Sequence, residues 1–144
     1  MLFDKRPHSV KRLLIVEDEP LVAFDNEHLL TESGFEVVAT VDRVAAAITV
    51  LESEQIDLVL ADVRLSEGDD GIDVARAAQA HGVPVLFVSG HCPLGAQQLA
   101  VGCLAKPYRQ RDLLDAISAV EAHLKGKRKR RRPEGLTLYS APAS

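Results

Sequence analysis

The sequence predicts an α/β fold, a doubly wound sheet of five parallel strands with helices on both faces. Two observations carry the prediction. Short apolar runs recur along the chain and end on polar or turn residues, as the buried strands of a parallel sheet do. Segments with helical periodicity alternate with these runs, giving a strand–helix unit five times over. Right-handed crossovers then place helices on both faces. A chain of 144 residues is long enough for one domain with its own core.

The elements follow in order. Leu13-Leu14-Ile15-Val16 forms the first strand and ends in Glu17-Asp18-Glu19-Pro20. Proline at a first helical position and acids beside it start a helix from about Pro20 to Ser33, which Gly34 stops. Phe35 to Thr40 is the second strand. Val44, Ala47, Ile48 and Leu51 mark one face of the second helix. Residues 57–62 form the third strand, an apolar run closing on Asp62, followed by the loop Ser66 to Gly71. A third helix spans about 72–80, and Val83 to Val88 is the fourth strand, ending in Ser89-Gly90. A short fourth helix is expected over about 94–100, weakened by Pro93 and Gly95. Val101 to Ala105 is the fifth strand, ending in Lys106-Pro107. Leu113, Ile117, Val120 and Leu124 lie on one face of the last helix.

Domain limits follow from composition. Residues 1–10 read as an N-terminal extension, 11–125 as the domain, and 126–144 as a basic tail expected to be disordered. Six of the 17 basic residues stand in Lys127–Arg132 against one tail acid, Glu134, so the tail carries +5 and residues 1–125 carry −9. No apolar run is long enough for a membrane span, and Met1 to Ser9 lacks the apolar core of a secretion signal. Cys92 and Cys103 lack metal-ligand spacing, so they read as small apolar fillers rather than redox sensors, in a reduced cytoplasmic chain.

Four strands end on chemistry. Glu17 and Asp18 follow the first strand, Asp62 the third, Ser89 the fourth and Lys106 the fifth. In a parallel sheet these ends share one edge, where open α/β sheets bind ligands. Each residue alone has an ordinary reading: a helix-cap acid, dipole complementation, a turn serine, a solvated lysine. Together they form a coherent set. Clustered carboxylates favour a hard divalent cation such as Mg2+ or Mn2+. Asp62 is then placed to act as a nucleophile toward phosphorus, with Ser89 and Lys106 on the phosphoryl oxygens.

The motifs Leu14-Ile15-Val16-Glu17-Asp18-Glu19-Pro20, Leu58-Val59-Leu60-Ala61-Asp62-Val63-Arg64-Leu65, Gly71-Ile72-Asp73, Val88-Ser89-Gly90 and Ala105-Lys106-Pro107-Tyr108 resemble those of the receiver domain of bacterial two-component response regulators, over about residues 11–124. The resemblance implies a flavodoxin-like (βα)5 receiver fold with strand order 2-1-3-4-5. It implies that Asp62 accepts a phosphoryl group from the phosphohistidine of a histidine kinase or histidine phosphotransfer protein. Asp18, Asp62 and the backbone carbonyl of Arg64 would bind Mg2+ directly, and Glu17 through a metal-bound water. Arg64 and His91 would tune phosphoryl lifetime; His91 reads equally well as a plain loop histidine. A cis bond is expected before Pro107. The implied role is a phosphoacceptor switch or phosphorelay shuttle, not an enzyme in its own right, signalling through protein contacts and possible as a homodimer.

Two departures from the family stand out. Cys103 occupies the place, three residues before the lysine, where the family usually has Tyr or Phe. The segment from Ser89 to Lys106 is also about one helical turn short. Both predict a remodelled output face, with Tyr108 either packing on the last helix or serving as an alternative aromatic lever.

Rival readings are an aspartyl-phosphate phosphatase or mutase, a pseudo-receiver that binds without phosphorylation, and a regulator touching nucleic acid through its tail. Arg64 stands where the first would need a second acid, the full acid–Ser–Lys set opposes the second, and the tail lacks interleaved aromatics for the third. The tail reads otherwise as an inert terminus or a segment binding the acidic globule or a partner. Met1 and the short extensions favour a complete single-domain protein over a fragment of a hybrid kinase.

Overall fold

The computed structural model describes residues 9–65, 68–127 and 132–139. Its elements are β1 Arg12–Val16, α1 Pro20–Glu32, β2 Glu36–Val41, α2 Val44–Ser53, β3 Leu58–Ala61, α3 Gly71–Ala80, β4 Val85–Ser89, β5 Gly102–Ala105, α4 Gln110–Leu124 and β6 Leu136–Leu138. The strand order is β2-β1-β3-β4-β5-β6. The first five strands run parallel, in the predicted order. β6 is added antiparallel to β5.

Alternation along each strand divides the core into two layers. Leu14, Val16, Val59, Ala61, Val85 and Phe87 point to one face, where Ala47 and Leu51 of α2 and Val74, Ala75 and Ala78 of α3 cover them. Leu13, Ile15, Leu58, Leu60, Leu86, Val88 and Leu104 point to the other, under Leu30 of α1 and Leu113, Ile117 and Val120 of α4. Both faces of β1, β3 and β4 are thus buried, which explains why their sequences are continuously apolar. Asp57, predicted as strand, instead anchors the strand beside it: its Oδ2 accepts from the Lys11 and Arg12 amides at 3.0 and 2.8 Å.

Three expectations are corrected. Residues 94–100 form turns and no helix. Pro93 lacks an amide hydrogen, Gly95 adopts φ 82°, and the connection from β4 to β5 is short, so the described residues form four helices instead of five. The tail is not disordered throughout, because Leu136–Leu138 pairs with β5. The Tyr139 amide donates to the Val101 carbonyl (2.9 Å), and its ring is buried against the Phe87 and Cys103 layer. A strand of three residues carries too little pattern to be read from sequence. It covers an edge of the sheet that would otherwise offer unpaired backbone groups. The basic residues 128–131 and the N-terminal extension to residue 8 lie outside the described residues. Finally, Cys92 and Cys103 are bonded as a disulfide, not two separate thiols. Their pairing has no spacing signal, because they meet only after β4 and β5 lie side by side.

Gly102 is what lets β6 dock, since a Cβ there would overlap the Thr137 carbonyl. Gly102→Ala is expected to release β6 while the parallel strands persist. Hydrogen exchange should show the Tyr139 and Ala105 amides losing protection and the β1 and β3 amides keeping theirs.

Candidate functional site

The C-terminal ends of β1, β3, β4 and β5 bring Glu17, Asp18, Asp62, Ser89 and Lys106 to one edge of the sheet. Glu17 is set by its amide donating to Val41 of β2 (2.9 Å), and Asp62 by its amide donating to Val16 of β1 (3.0 Å). The Lys106 amide donates to the Ser89 carbonyl at 2.8 Å, which couples the ends of β4 and β5. The Lys106–Pro107 bond is cis.

A cleft of about 300 Å3 opens there, lined by Asp18, Glu19, Asp62, Arg64, Ser89, Gly90, His91 and Lys106. A larger one, of about 960 Å3, lies between the β5–α4 connection and Arg132–Gly135. Its bases Arg109, Arg111 and Arg132 face the acids Asp112, Asp115 and Glu134, and it shares only Lys106 with the strand-end set. The convergent polar groups therefore mark the smaller cleft as the candidate site.

Lys106 Nζ lies 3.0 Å from Glu17 Oε1, 3.0 Å from Asp62 Oδ2 and 3.9 Å from Glu19 Oε1. Asp62 Oδ1 accepts from the Arg64 amide at 3.2 Å, so the side chain is held from both ends. Ser89 Oγ is buried and accepts from the His91 amide at 3.3 Å. Arg64 and His91 are exposed at the rim.

Electrostatics in the cleft oppose each other. Burial pushes the Glu17 carboxyl above its ordinary 4.5 even though Lys106 and the Glu19 amide hydrogen-bond its charged form. Burial also works to lower the Lys106 ammonium, but there the bonds to Asp62 and Glu17 outweigh it and hold the group above its ordinary 10.5. A carboxyl raised by folding contributes stability below its unfolded value that is lost as pH rises through the folded one. Glu17→Gln is therefore expected to melt above the parent protein at pH 7 without added metal. That advantage should shrink as pH falls toward the ordinary carboxyl value of 4.5, because protonation relieves the buried charge in the parent as well. Paired thermal melts across pH check this.

One carboxylate oxygen each from Glu17, Asp18 and Asp62 lie within 4.8 Å of one another. An all-oxygen, anionic donor set with one ammonium against three carboxylates fits a hard cation such as Mg2+. The backbone of Arg64 stands beside it, tied to Asp62 through its amide.

Sequence reasoning gave no role at the site to three contributors. Glu19 faces Lys106, and its amide donates to Glu17 Oε2 at 3.1 Å. Asp70 caps α3, its Oδ1 accepting from the Ile72 amide at 2.8 Å. Gly71 passes so close to the Asp62 carbonyl that no Cβ fits. The Asp70-Gly71 pair opening a helical pattern was the available signal for the last two. Tyr108 packs on the layer containing α4, and its hydroxyl pairs with the Asn26 carboxamide of α1 at 2.9 Å.

A family model described as "Response regulator receiver domain" matches residues 13–118. The "Phyllosphere-induced regulator PhyR" of Methylorubrum extorquens is 31% identical over 111 residues, covering 74% of this chain and 42% of that protein. The chain spans about half the length of the curated relatives it matches. Among solved structures, a response regulator receiver protein from Sinorhizobium medicae is 32% identical with a TM-score of 0.67, over 78% of this chain and 95% of that one. The receiver domain of the sensor histidine kinase PA1611 from Pseudomonas aeruginosa, with magnesium coordinated in its active-site cleft, is 25% identical with a TM-score of 0.67, over 78% and 98%.

Proposed function

The chain belongs to the response regulator receiver domain family, and from that premise we propose that Asp62 is its phosphoacceptor. The observation that carries the reading is the convergence of Glu17, Asp18 and Asp62 with Lys106 hydrogen-bonded to the Asp62 carboxylate. An Asp62 carboxylate oxygen attacks the phosphorus of a phosphohistidine. An O–P bond forms, the P–N bond breaks, and the imidazole leaves with the electron pair. Lys106 transfers its contact from Asp62 to a phosphoryl oxygen, and the Ser89 hydroxyl donates to another. Glu17, Asp18 and Asp62, with the Arg64 carbonyl, would hold Mg2+, which when bound supplies charge neutralisation for the transferred group.

The phosphodonor is a histidine kinase or a histidine phosphotransfer protein. Leu21 and Phe24, exposed on the first turns of α1 beside the acidic edge, offer it an apolar landing patch. Phosphorylation adds charge where Lys106 now bridges Glu17 and Asp62, so the bridge must rearrange. The loops after β3 and β4 shift population with it, and the signal passes by protein contacts or onward phosphotransfer. The protein then acts as a phosphoacceptor with slow self-catalysed transfer and hydrolysis. A cytoplasmic place suits this reading, and no helix among the described residues is long and apolar enough to cross a membrane.

Acetyl phosphate with Mg2+ tests the reading. The protein should take up label, lose the ability when Mg2+ is chelated, and fail to label as Asp62→Asn.

A further inference from the structure

We propose that Cys92 and Cys103 form a reversible thiol–disulfide site, open to thiol reductants, whose redox state sets the mobility of the loop over the phosphorylation cleft. The two cysteines are the only ones in the chain, and they are bonded across a sequence separation of 11. Cys103 lies inside β5, fully buried, three residues before Lys106 and paired in register with Phe87 of β4. Cys92 stands three residues after Ser89 and is only half-buried, in the loop that carries His91 over the cleft. The bond thus ties the loop that leaves β4, the strand delivering the hydroxyl, to the interior of β5, the strand delivering the ammonium.

Apart from apolar contacts of Ala96, Leu99 and Ala100 with the core layer, few interactions restrain this loop. It contains no helix, and among the described residues its one long-range hydrogen bond between residues 92 and 100 is Gln79 Nε2 to the Gln98 carbonyl, at 3.0 Å. Ala96 is the one buried side chain there apart from the partly buried positions around it. A covalent tie across an otherwise weakly held segment dominates its conformational freedom. One end in the core and one near the surface also fixes the direction of attack. A reductant thiolate reaches Cys92 Sγ and forms a mixed disulfide with it, while Cys103 leaves as a thiolate and takes a proton. The second thiol of a dithiol reductant, or a second monothiol, then displaces Cys92 and closes the reductant's own disulfide. Two electrons and two protons pass to the cysteines. Oxidation reverses the steps with a disulfide oxidant. The location rests on the functional reading above: in a compartment kept reduced by thiols, such bonds are sensing or transient.

The test uses the full chain without phosphorylation. The native protein is equilibrated in oxidised glutathione, in reduced glutathione and in dithiothreitol, then denatured and alkylated. We expect no alkylated cysteine in the first and two in dithiothreitol; response to reduced glutathione as well would assign monothiols, and its absence dithiols. Hydrogen exchange over residues 91–101 should rise at least about tenfold on reduction, and Cys92→Ala should show the fast exchange in both states. The β1 and β3 amides should be unchanged. Free thiols under oxidising conditions, resistance of the native bond to dithiothreitol, or equal exchange in both states would each overturn the proposal. Because none of these readouts needs phosphate, a failure of Asp62 to label leaves them standing, and their failure leaves labelling intact.

Discussion

Lys106→Met should lose about 2–3 kcal/mol of stability in metal-free solution near pH 8, measured by urea denaturation. The substitution leaves Glu17 and Asp62, with side chains 4% and 10% exposed, without the ammonium 3.0 Å from each. Stranding a buried charge in this way costs about 3–5 kcal/mol, and the 20% exposure of Lys106 argues for a smaller figure. Glu17, already pushed up by burial, takes up a proton more readily in the variant and limits the loss. Two further signs distinguish this account from lost packing. The Lys106 ammonium is raised by folding, so its contribution is complete below 10.5 and fades as pH rises through the native value. The gap between parent and variant should therefore close in strong alkali. It should also narrow in excess Mg2+, because a cation binds the bared carboxylates of the variant more tightly than those the Lys106 ammonium already neutralises in the parent. A gap independent of both pH and Mg2+ would contradict the electrostatic reading.

Gly71→Ala should destabilise by about 3 kcal/mol, the upper end of the cost of overpacking. Helix propensity alone predicts the reverse, a gain of up to about 1 kcal/mol for alanine over glycine. Geometry decides, because the new Cβ overlaps the Asp62 carbonyl and comes within 2.9 Å of the Val63 Cα. Those are backbone atoms and cannot rotate away. The Gly71 amide is also committed to the Val63 carbonyl at 2.7 Å, so α3 cannot back off without breaking that bond. Movement of the Asp62 backbone should reduce labelling as well. A variant as stable as the parent, or more stable, would show that helix α3 and the loop carrying Asp62 are not coupled in this way.

Much of the fold was legible because its signals are local. β1, β3 and β4 are buried on both faces, so they appear as unbroken apolar runs, and their polar terminators form the candidate site. The strand order and the grouping of Glu17, Asp18, Asp62, Ser89 and Lys106 follow from parallel topology. What escaped was set by contacts distant in sequence. The segment 94–100 has enough apolar residues to suggest a helix, but Pro93, Gly95 and the tie from Cys92 to Cys103 hold it in turns. β6 exists because β5 has an open edge and Gly102 leaves room for Thr137, neither visible in Leu136-Thr137-Leu138 alone. Gly71 matched a motif, but the closeness of Asp62 behind it needed three dimensions.

The most direct test of the account is to locate the phosphoryl group. Protein labelled from acetyl phosphate with Mg2+ is reduced with borohydride, which converts an aspartyl phosphate to homoserine, then digested and sequenced by mass spectrometry. Conversion at Asp62 alone, absent from Asp62→Asn, is the predicted result. Conversion at Asp18 or another acid, or equal labelling of Asp62→Asn, would contradict it.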